Sequence, residues 1–269
     1  MGVRVVSLAS GSSGNAFLVE AGEVVLLIDA GLSMRRLGQH LRQVGVELGE
    51  VQAVLLTHEH ADHVAGLAML SWRRRLPVVG NGATLEAADV DRSSARVLPT
   101  GGAMSLGALQ VRSFALPHDS REAVGYCLEY EGTRVCLAAD LGHVPETLKD
   151  YVKGSDLIIL EANHDLESLI RGPYPRFLKS RIASEIGHLS NEQTADCLEE
   201  CAGASSGKRQ WVWLAHLSEV NNSPRTALRA VRDRLKGAGI TSVDVQVARR
   251  DFVSLIWDSD NLAWQSQLL

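Results

Sequence analysis

Few cysteines, no long apolar run and no low-complexity tract mark this sequence, and each shortage removes a class of protein. No apolar stretch approaches membrane-spanning length, so no transmembrane helix is expected. The opening text, "MGVRVVSLASGSSGN", lacks both an apolar h-region and a charged n-region, which predicts no secretory leader and a cytoplasmic protein. The four cysteines, Cys127, Cys136, Cys197 and Cys201, match no zinc-finger spacing. Cys197 and Cys201 fall four apart on an expected helix. Cys127 and Cys136 should face each other across a hairpin that turns at Glu131-Gly132. In a reducing compartment all four read as small buried side chains. No Gly-x-Ser-x-Gly elbow offers a serine nucleophile, since "GSSG" lacks that pattern. Nothing in the text marks a linker or a short-period repeat, so residues 1–269 are expected to form one domain.

What is present describes an ordinary globular chain: 269 residues, 45% hydrophobic, 22% charged, net charge −5. That acidic balance argues against nucleic-acid binding driven by overall charge and leaves room for a local basic groove. Short β-branched runs, "VRVVSL", "AFLVE" and "VVLLID", open the chain. Helical spacing through Met34, Leu37, Leu41 and Val44 follows and ends at Gly45. "VQAVLLT" reads as a buried strand. "DHVAGLAMLSWRRR" reads as a helix closed by a solvated Arg73–Arg75 triplet. Strands return in "LQVRSFAL", "VGYCLEY" and "TRVCLAAD". After them come a helix in "VPETLKDYV", the strand "DLIILEAN" and helical text through residue 200. "WVWLAHLS" is one more strand, "SPRTALRAVRDRLKGAG" a last helix, and two short strands finish the chain. This order predicts an α/β architecture of two mixed sheets packed face to face with helices outside.

The stretch "LLTHEHADHVAGLAML", residues 55–70, carries His58, His60, Asp62 and His63 where a strand gives way to helical text. His58 and His60 are two apart in extended chain, so both point the same way. Imidazoles and a carboxylate converging on one point suit a divalent transition metal. A lone histidine would read as a solvent-facing loop residue; four such groups in six positions do not. Other strands end alike: "VVLLIDAG" at Asp29, "SFALPHDS" at His118, "VCLAADLG" at Asp140 and "VWLAHLSE" at His216. Gathered at one rim, they make seven candidate ligands plus Asp29, enough for two metal ions.

HxHxDH after a strand, followed by isolated His, Asp and His, resembles the metallo-β-lactamase superfamily. "SLASGSSGN", "LPHD", "AADLG", "LEANHD", "GPYPRFLKSRI", "GHLSN" and "LAHLSEVNN" narrow the resemblance to its YycJ/WalJ subfamily, over nearly the whole chain. The resemblance implies an αββα sandwich and a phosphodiesterase, in that subfamily a 5′→3′ exonuclease acting on DNA in a repair context. It implies that His58, His60 and His118 hold one metal and Asp62, His63 and His216 the other, with Asp140 bridging. Asp29 would stand behind the site and fix the tautomer of a ligating histidine. The donors are all nitrogen and oxygen and suit zinc, manganese or iron, and two ions of zinc or manganese are expected.

"GHLSNEQ" puts His188 just before a helix, with Ser190 and Gln193 spaced as a capping box. The plain reading is a loop residue. Similarity to the transfer-RNA 3′-processing branch instead implies a non-ligand histidine near the leaving oxygen, oriented by Glu161. His164 either lines the substrate groove or caps the next helix. His40 and His143 read as surface or loop residues. The segment 171–181, "RGPYPRFLKSR", carries Arg171, Arg176, Lys179 and Arg181 with no acid, interleaved with Tyr174 and Phe177. On composition it is a solvated helix face; with the resemblance it becomes a segment that grips phosphates and stacks a base. Asn15 in "SGSSGN" and Asn221 in "SEVNNS" add donors for a terminal phosphate. Nucleic acid, DNA ahead of RNA, is the expected partner, and a second copy of the chain is another. The rival readings are an RNA-processing nuclease and a small-molecule ester or lactone hydrolase. A non-catalytic binding protein is the reading from another class, and the complete ligand set counts against it.

Overall fold

The computed structural model describes residues 2–201, 209–261 and 265–266. Strands β1 (Val3–Ala9), β2 (Ala16–Ala21) and β3 (Val24–Ile28) lead to α1 (Met34–Gln43), β4 (Ala53–Leu55) and α2 (Ala61–Val64). Then follow β5 (Val78–Gly80), α3 (Gly82–Ala87), β6 (Ala95–Val97), β7 (Ala103–Leu106), β8 (Leu109–Ala115), β9 (Val124–Tyr130) and β10 (Thr133–Ala138). The second half runs α4 (Glu146–Gly154), β11 (Leu157–Glu161), α5 (Leu166–Arg171), α6 (Arg176–Ile182), α7 (Asn191–Cys201) and β12 (Gln210–Ala215). It closes with α8 (Pro224–Gly237), β13 (Val243–Val247), β14 (Leu255–Asp258) and β15 (Gln265–Ser266). One sheet has the order β15-β14-β1-β2-β3-β4-β5-β6 and the other β13-β12-β11-β10-β9-β8-β7. Both are mixed: β3 to β6 pair in parallel, as do β10 to β13.

Period-two alternation explains the layers. In β11, Leu157 and Ile159 face the core between the sheets, while Ile158 and Leu160 face the helices outside. β12 does the same, with Trp211 and Trp213 inward and Val212 and Leu214 outward. A strand buried on both faces has no polar alternation, which is why both read as continuous apolar runs. Leu148 and Val152 of α4, Leu198 of α7 and Val231 and Leu235 of α8 cover the second sheet. Leu37 and Leu41 of α1 and Leu85 of α3 cover the first. The expected αββα sandwich is therefore the observed one.

The hairpin between β9 and β10 holds Cys127 directly opposite Cys136, and its turn puts Glu131 at φ 48° and Gly132 at φ 82°. All four cysteines are free and buried. Three expectations need correction. The text of residues 62–75 is helical but not one helix: α2 stops at Val64, a turn follows, and a second helical stretch over 67–74 has a π-helical turn, Met69–Arg73, in its middle. Gly66 explains the break, because its N–H bonds Ala30 O (2.8 Å) and a β-carbon there would lie 2.4 Å from the Leu32 carbonyl oxygen. The side chain of Arg73 lies outside the described residues. His40 is not a surface residue; it is buried in α1 with Nδ1 3.0 Å from Leu8 O. The short β5, β6, β7 and α3 have no counterpart in the expected elements, being only three to six residues long.

Candidate metal centre

The parallel strands of both sheets end at one rim, the edge where α/β folds place their ligands. Asp29 follows β3, Thr57 and His58 follow β4, Asp140 follows β10, Glu161 ends β11 and His216 follows β12. Asp29, Asp140 and His216 sit at φ 60°, 64° and 52°, a left-handed conformation uncommon outside glycine. Three strained strand exits at one rim are the kind of cost that clusters at functional sites.

Asp29 organises one side. Its Oδ1 accepts from Thr57 N (2.9 Å), and its Oδ2 accepts from Thr57 Oγ1 (2.9 Å) and lies 2.7 Å from His63 Nδ1. With the Thr57 hydroxyl donating to Asp29, His58 Nδ1 donates to Thr57 Oγ1 at 3.1 Å. Both histidines then carry their proton on Nδ1 and keep the Nε2 lone pair for the rim, a network-based assignment. His118 follows the same rule, with Nδ1 3.1 Å from Gly187 O. So does His216, with Nδ1 2.8 Å from Glu161 Oε1. His60 is the exception: its Nδ1 faces His118 Nε2 at 3.3 Å.

The ligand atoms that face the rim converge. His58, His60 and His118 form one group with ligand atoms within 4.8 Å of one another, and Asp62, His63 and His216 form a second. Asp140 joins His58 and His63 in a third group, and Glu161, His188 and His216 in a fourth. All seven expected ligands meet here. His58 Nε2 and Asp140 Oδ2 are buried and make no hydrogen bond. Buried lone pairs left facing one another are costly without a cation between them, so this donor set fits divalent ions. Burial would push the Asp140 carboxyl up, but the His216 and His63 imidazoles outweigh it and hold it well below the usual carboxylate range.

Glu161 is fully buried and saturated. Its Oε1 meets His188 Nδ1 and His216 Nδ1, both at 2.8 Å, and Oε2 accepts from Leu141 N (3.0 Å) and Leu189 N (3.2 Å). Burial alone would raise its pKa; His188 and His216 bring it down to about 2. His188 thus has the carboxylate partner expected of it, and its helix start is the expected capping box. Ser190 N donates to Gln193 Oε1 (2.8 Å) and Gln193 N to Ser190 Oγ (3.2 Å). What the sequence missed is that one carboxylate serves two histidines.

A cavity of about 170 Å³ opens beside His188, lined also by Ser12, Asp119, Tyr174, Leu178 and Arg181. Arg181 reaches it from α6, with Nε on Asp119, whose Oδ1 is 3.4 Å from His118 Nε2. Arg176 and Lys179 do not line this cavity, and Lys179 Nζ donates to Ile170 O at 2.6 Å. Three expected substrate contacts are corrected. Asn15 is buried, with Nδ2 3.1 Å from Asp62 Oδ2 and 3.0 Å from His63 Nε2, so it positions candidate ligands. Asn221 is buried in the turn after β12, its N–H donating to Ser218 Oγ. His164 neither lines the groove nor caps the helix: it is buried, burial lowers its pKa to about 4, and Asp165 is the cap of α5. Thr57 and Asp119 were missed, although each stands beside a histidine already singled out.

Comparison with known proteins agrees with this geometry. The family model described as "Beta-lactamase superfamily domain" matches residues 25–210. The chain is 34% identical over 247 residues to Exodeoxyribonuclease YycJ of Bacillus anthracis, covering 89% of this chain and 92% of that protein. It is 32% identical over 255 residues to Exodeoxyribonuclease WalJ of Streptococcus pneumoniae, covering 92% and 94%. Among solved structures, the metallo-beta-lactamase fold protein YhfI from Bacillus subtilis superposes with a TM-score of 0.69 at 17% identity, over 96% of this chain and 99% of that one.

Proposed function

Because the chain belongs to the β-lactamase superfamily domain family and has the metallo-β-lactamase fold, we propose that it is a divalent-metal-dependent phosphodiesterase that degrades DNA from a 5′ end. The observation that carries the proposal is the gathering of seven nitrogen and oxygen donors at one rim, Asp140 among them, with His188 held on Glu161 beside it. The similarity to two proteins named exodeoxyribonucleases supports DNA as the substrate. His58, His60 and His118 would hold one ion, Asp62, His63 and His216 a second, and Asp140 would be common to both. When bound, such a pair supplies Lewis acidity, neutralising phosphoryl charge and acidifying water.

The chain's own groups have separable tasks. Asp29 and Thr57 fix the His63 and His58 tautomers, and Asn15 steadies Asp62. Glu161 takes the His188 Nδ1 proton's hydrogen bond, so Nε2 is the atom that can give a proton to the departing oxygen. Arg181, with 57% of its side chain exposed, offers charge to a phosphate in the cavity beside His188. Zinc or manganese, two per chain, suits the donors. No helix among the described residues is long and apolar enough to cross a membrane. Free buried cysteines suit a reducing cytoplasm. The pairing of β1 with β14 brings the two ends of the chain into one sheet and supports a single domain.

End-labelled DNA and RNA, each with a 5′-phosphate or a 5′-hydroxyl, would be digested with added Mn²⁺ or Zn²⁺. Loss of the 5′ label from DNA as short products, faster than from RNA, is the expected result. A preference for RNA would make the chain an RNA-processing nuclease. Turnover of a lactone or thioester with no attack on either polymer would sink the proposal.

A further inference from the structure

Basic groups also collect away from the ligand rim. Arg225, Arg229 and Arg232 recur at i, i+4 and i+7, so they share one face of α8. Arg249, Arg250 and Phe252 stand in the loop between β13 and β14. A chain of cavities with shared walls links these residues to the candidate centre. Two residues past His216, Ser218 lines both the cavity at His188 and a second one of about 260 Å³ that includes Ser10, Arg249, Arg250 and Phe252. Arg249 and Phe252 also line a third, of about 450 Å³, with Arg225 and Arg232. Those two arginines, with Arg229, wall the fourth.

The charge along this path is largely unneutralised. Arg225, Arg229 and Arg249 are exposed and meet no carboxylate among the described residues. Arg232 donates to the Val245 carbonyl at 2.8 Å and meets no carboxylate among the described residues. Arg250 pairs with Glu219, and Asp251 is engaged by Arg36 and Ser13. Asp233 is the one acid on the α8 wall. Phe252 is 42% exposed in the middle of the path. In the 171–181 segment Arg171 pairs with Glu167 and Arg181 with Asp119, Lys179 reaches a backbone carbonyl, and Arg176 is exposed and meets no carboxylate among the described residues.

We infer that this groove is the track of the polynucleotide strand leading away from His188, with phosphates on the α8 arginines and a base against Phe252. The inference rests on the nuclease reading. From Arg225 to Arg232, α8 rises about 10 Å, so its three guanidinium groups form a row that successive phosphates of one strand can follow. Arginines that meet only phosphates carry no sequence preference, as a strand track requires. An exposed aromatic stacks any base.

The test is fluorescence anisotropy of labelled single-stranded DNA in the presence of a chelator, so that binding is read without metal or turnover. One probe is long enough to cover α8, and the other is a dinucleotide that reaches only the His188 cavity. The combined Arg225→Ala, Arg229→Ala and Arg232→Ala variant should bind the long strand roughly tenfold or more weakly and lower the salt slope by about 0.7 per lost contact. Its dinucleotide affinity should match wild type. The corresponding Arg→Lys variant should keep the slope, and Phe252→Ala should weaken the long strand without changing it. An unaltered long-strand affinity and slope, or an equal loss for the dinucleotide, would overturn the track. Wild-type protein that cleaves bis-p-nitrophenyl phosphate but neither binds nor cuts any strand would instead overturn the nuclease reading.

Discussion

His188 and His216 hang from the same oxygen of Glu161, yet the ring atoms they present differ in role. His216 is buried, and its Nε2 points at Asp62 Oδ2 across 3.3 Å, inside the second ligand group. His188 keeps 20% of its side chain exposed and borders the open cavity. His216→Ala should therefore bind less metal, as elemental analysis after reconstitution would show. His188→Ala should keep its metal while turnover falls by roughly 10²–10⁴-fold, and by less for a substrate whose leaving group needs no proton. Metal loss in His188→Ala but not in His216→Ala would reverse the two roles. The candidate ligands were legible because HxHxDH is local and each remaining donor closes a recognisable strand. Asn15, Asn221 and His164 were misread for the opposite reason. A polar side chain in a loop looks available until the fold buries it.

Among the elements, the turn after β3 carries more than its sequence suggests. Asn15 N bonds Asp62 O (2.7 Å), Gly31 N bonds Asn15 O (2.9 Å), and Ala30 N bonds His63 O (2.9 Å). Three segments are thereby laced together behind two candidate ligands. A β-carbon on Gly31 would lie 1.7 Å from the Asp62 carbonyl oxygen and 2.6 Å from Asn15 N. Gly31→Ala must displace backbone, so its urea midpoint should fall by the equivalent of about 1–3 kcal/mol. Gly49→Ala, where nothing lies within 4 Å, is the control and should stay within about 0.5 kcal/mol of wild type. Equal midpoints for the two variants would mean the lacing yields freely. The same turn explains why the helix expected over residues 62–75 is interrupted at 65–66. Their apolar spacing is helical, but the Ala30 carbonyl captures the Gly66 N–H.

For the whole molecule, the ligand rim is where two sheets meet, so metal and fold should be linked. A ligand that binds only the folded state at about 100 times its Kd stabilises it by about 2.7 kcal/mol. Stripping the protein with a chelator should lower its thermal midpoint, and Mn²⁺ or Zn²⁺ should restore it. A midpoint indifferent to both would argue against any ion at the rim.

The sequence by itself determined the layers and the donors. Strands buried on both faces must be continuously apolar, and a catalytic rim must end them in polar residues, so both signals lie within short windows. Only the tertiary structure decided which groups act together. Ser10 Oγ accepts from His216 N across 206 positions of chain, and Glu161 reaches His216 across 55. It also decided which charges stay available. In the basic segment 171–181, Arg171 and Arg181 are held by carboxylates, whereas Arg225, Arg229 and Arg232 of α8, an ordinary solvated helix face in sequence, meet none among the described residues. Availability depends on whether a partner arrives within hydrogen-bonding distance, and for Arg181 that partner, Asp119, comes from 62 positions away, beyond any short window of sequence.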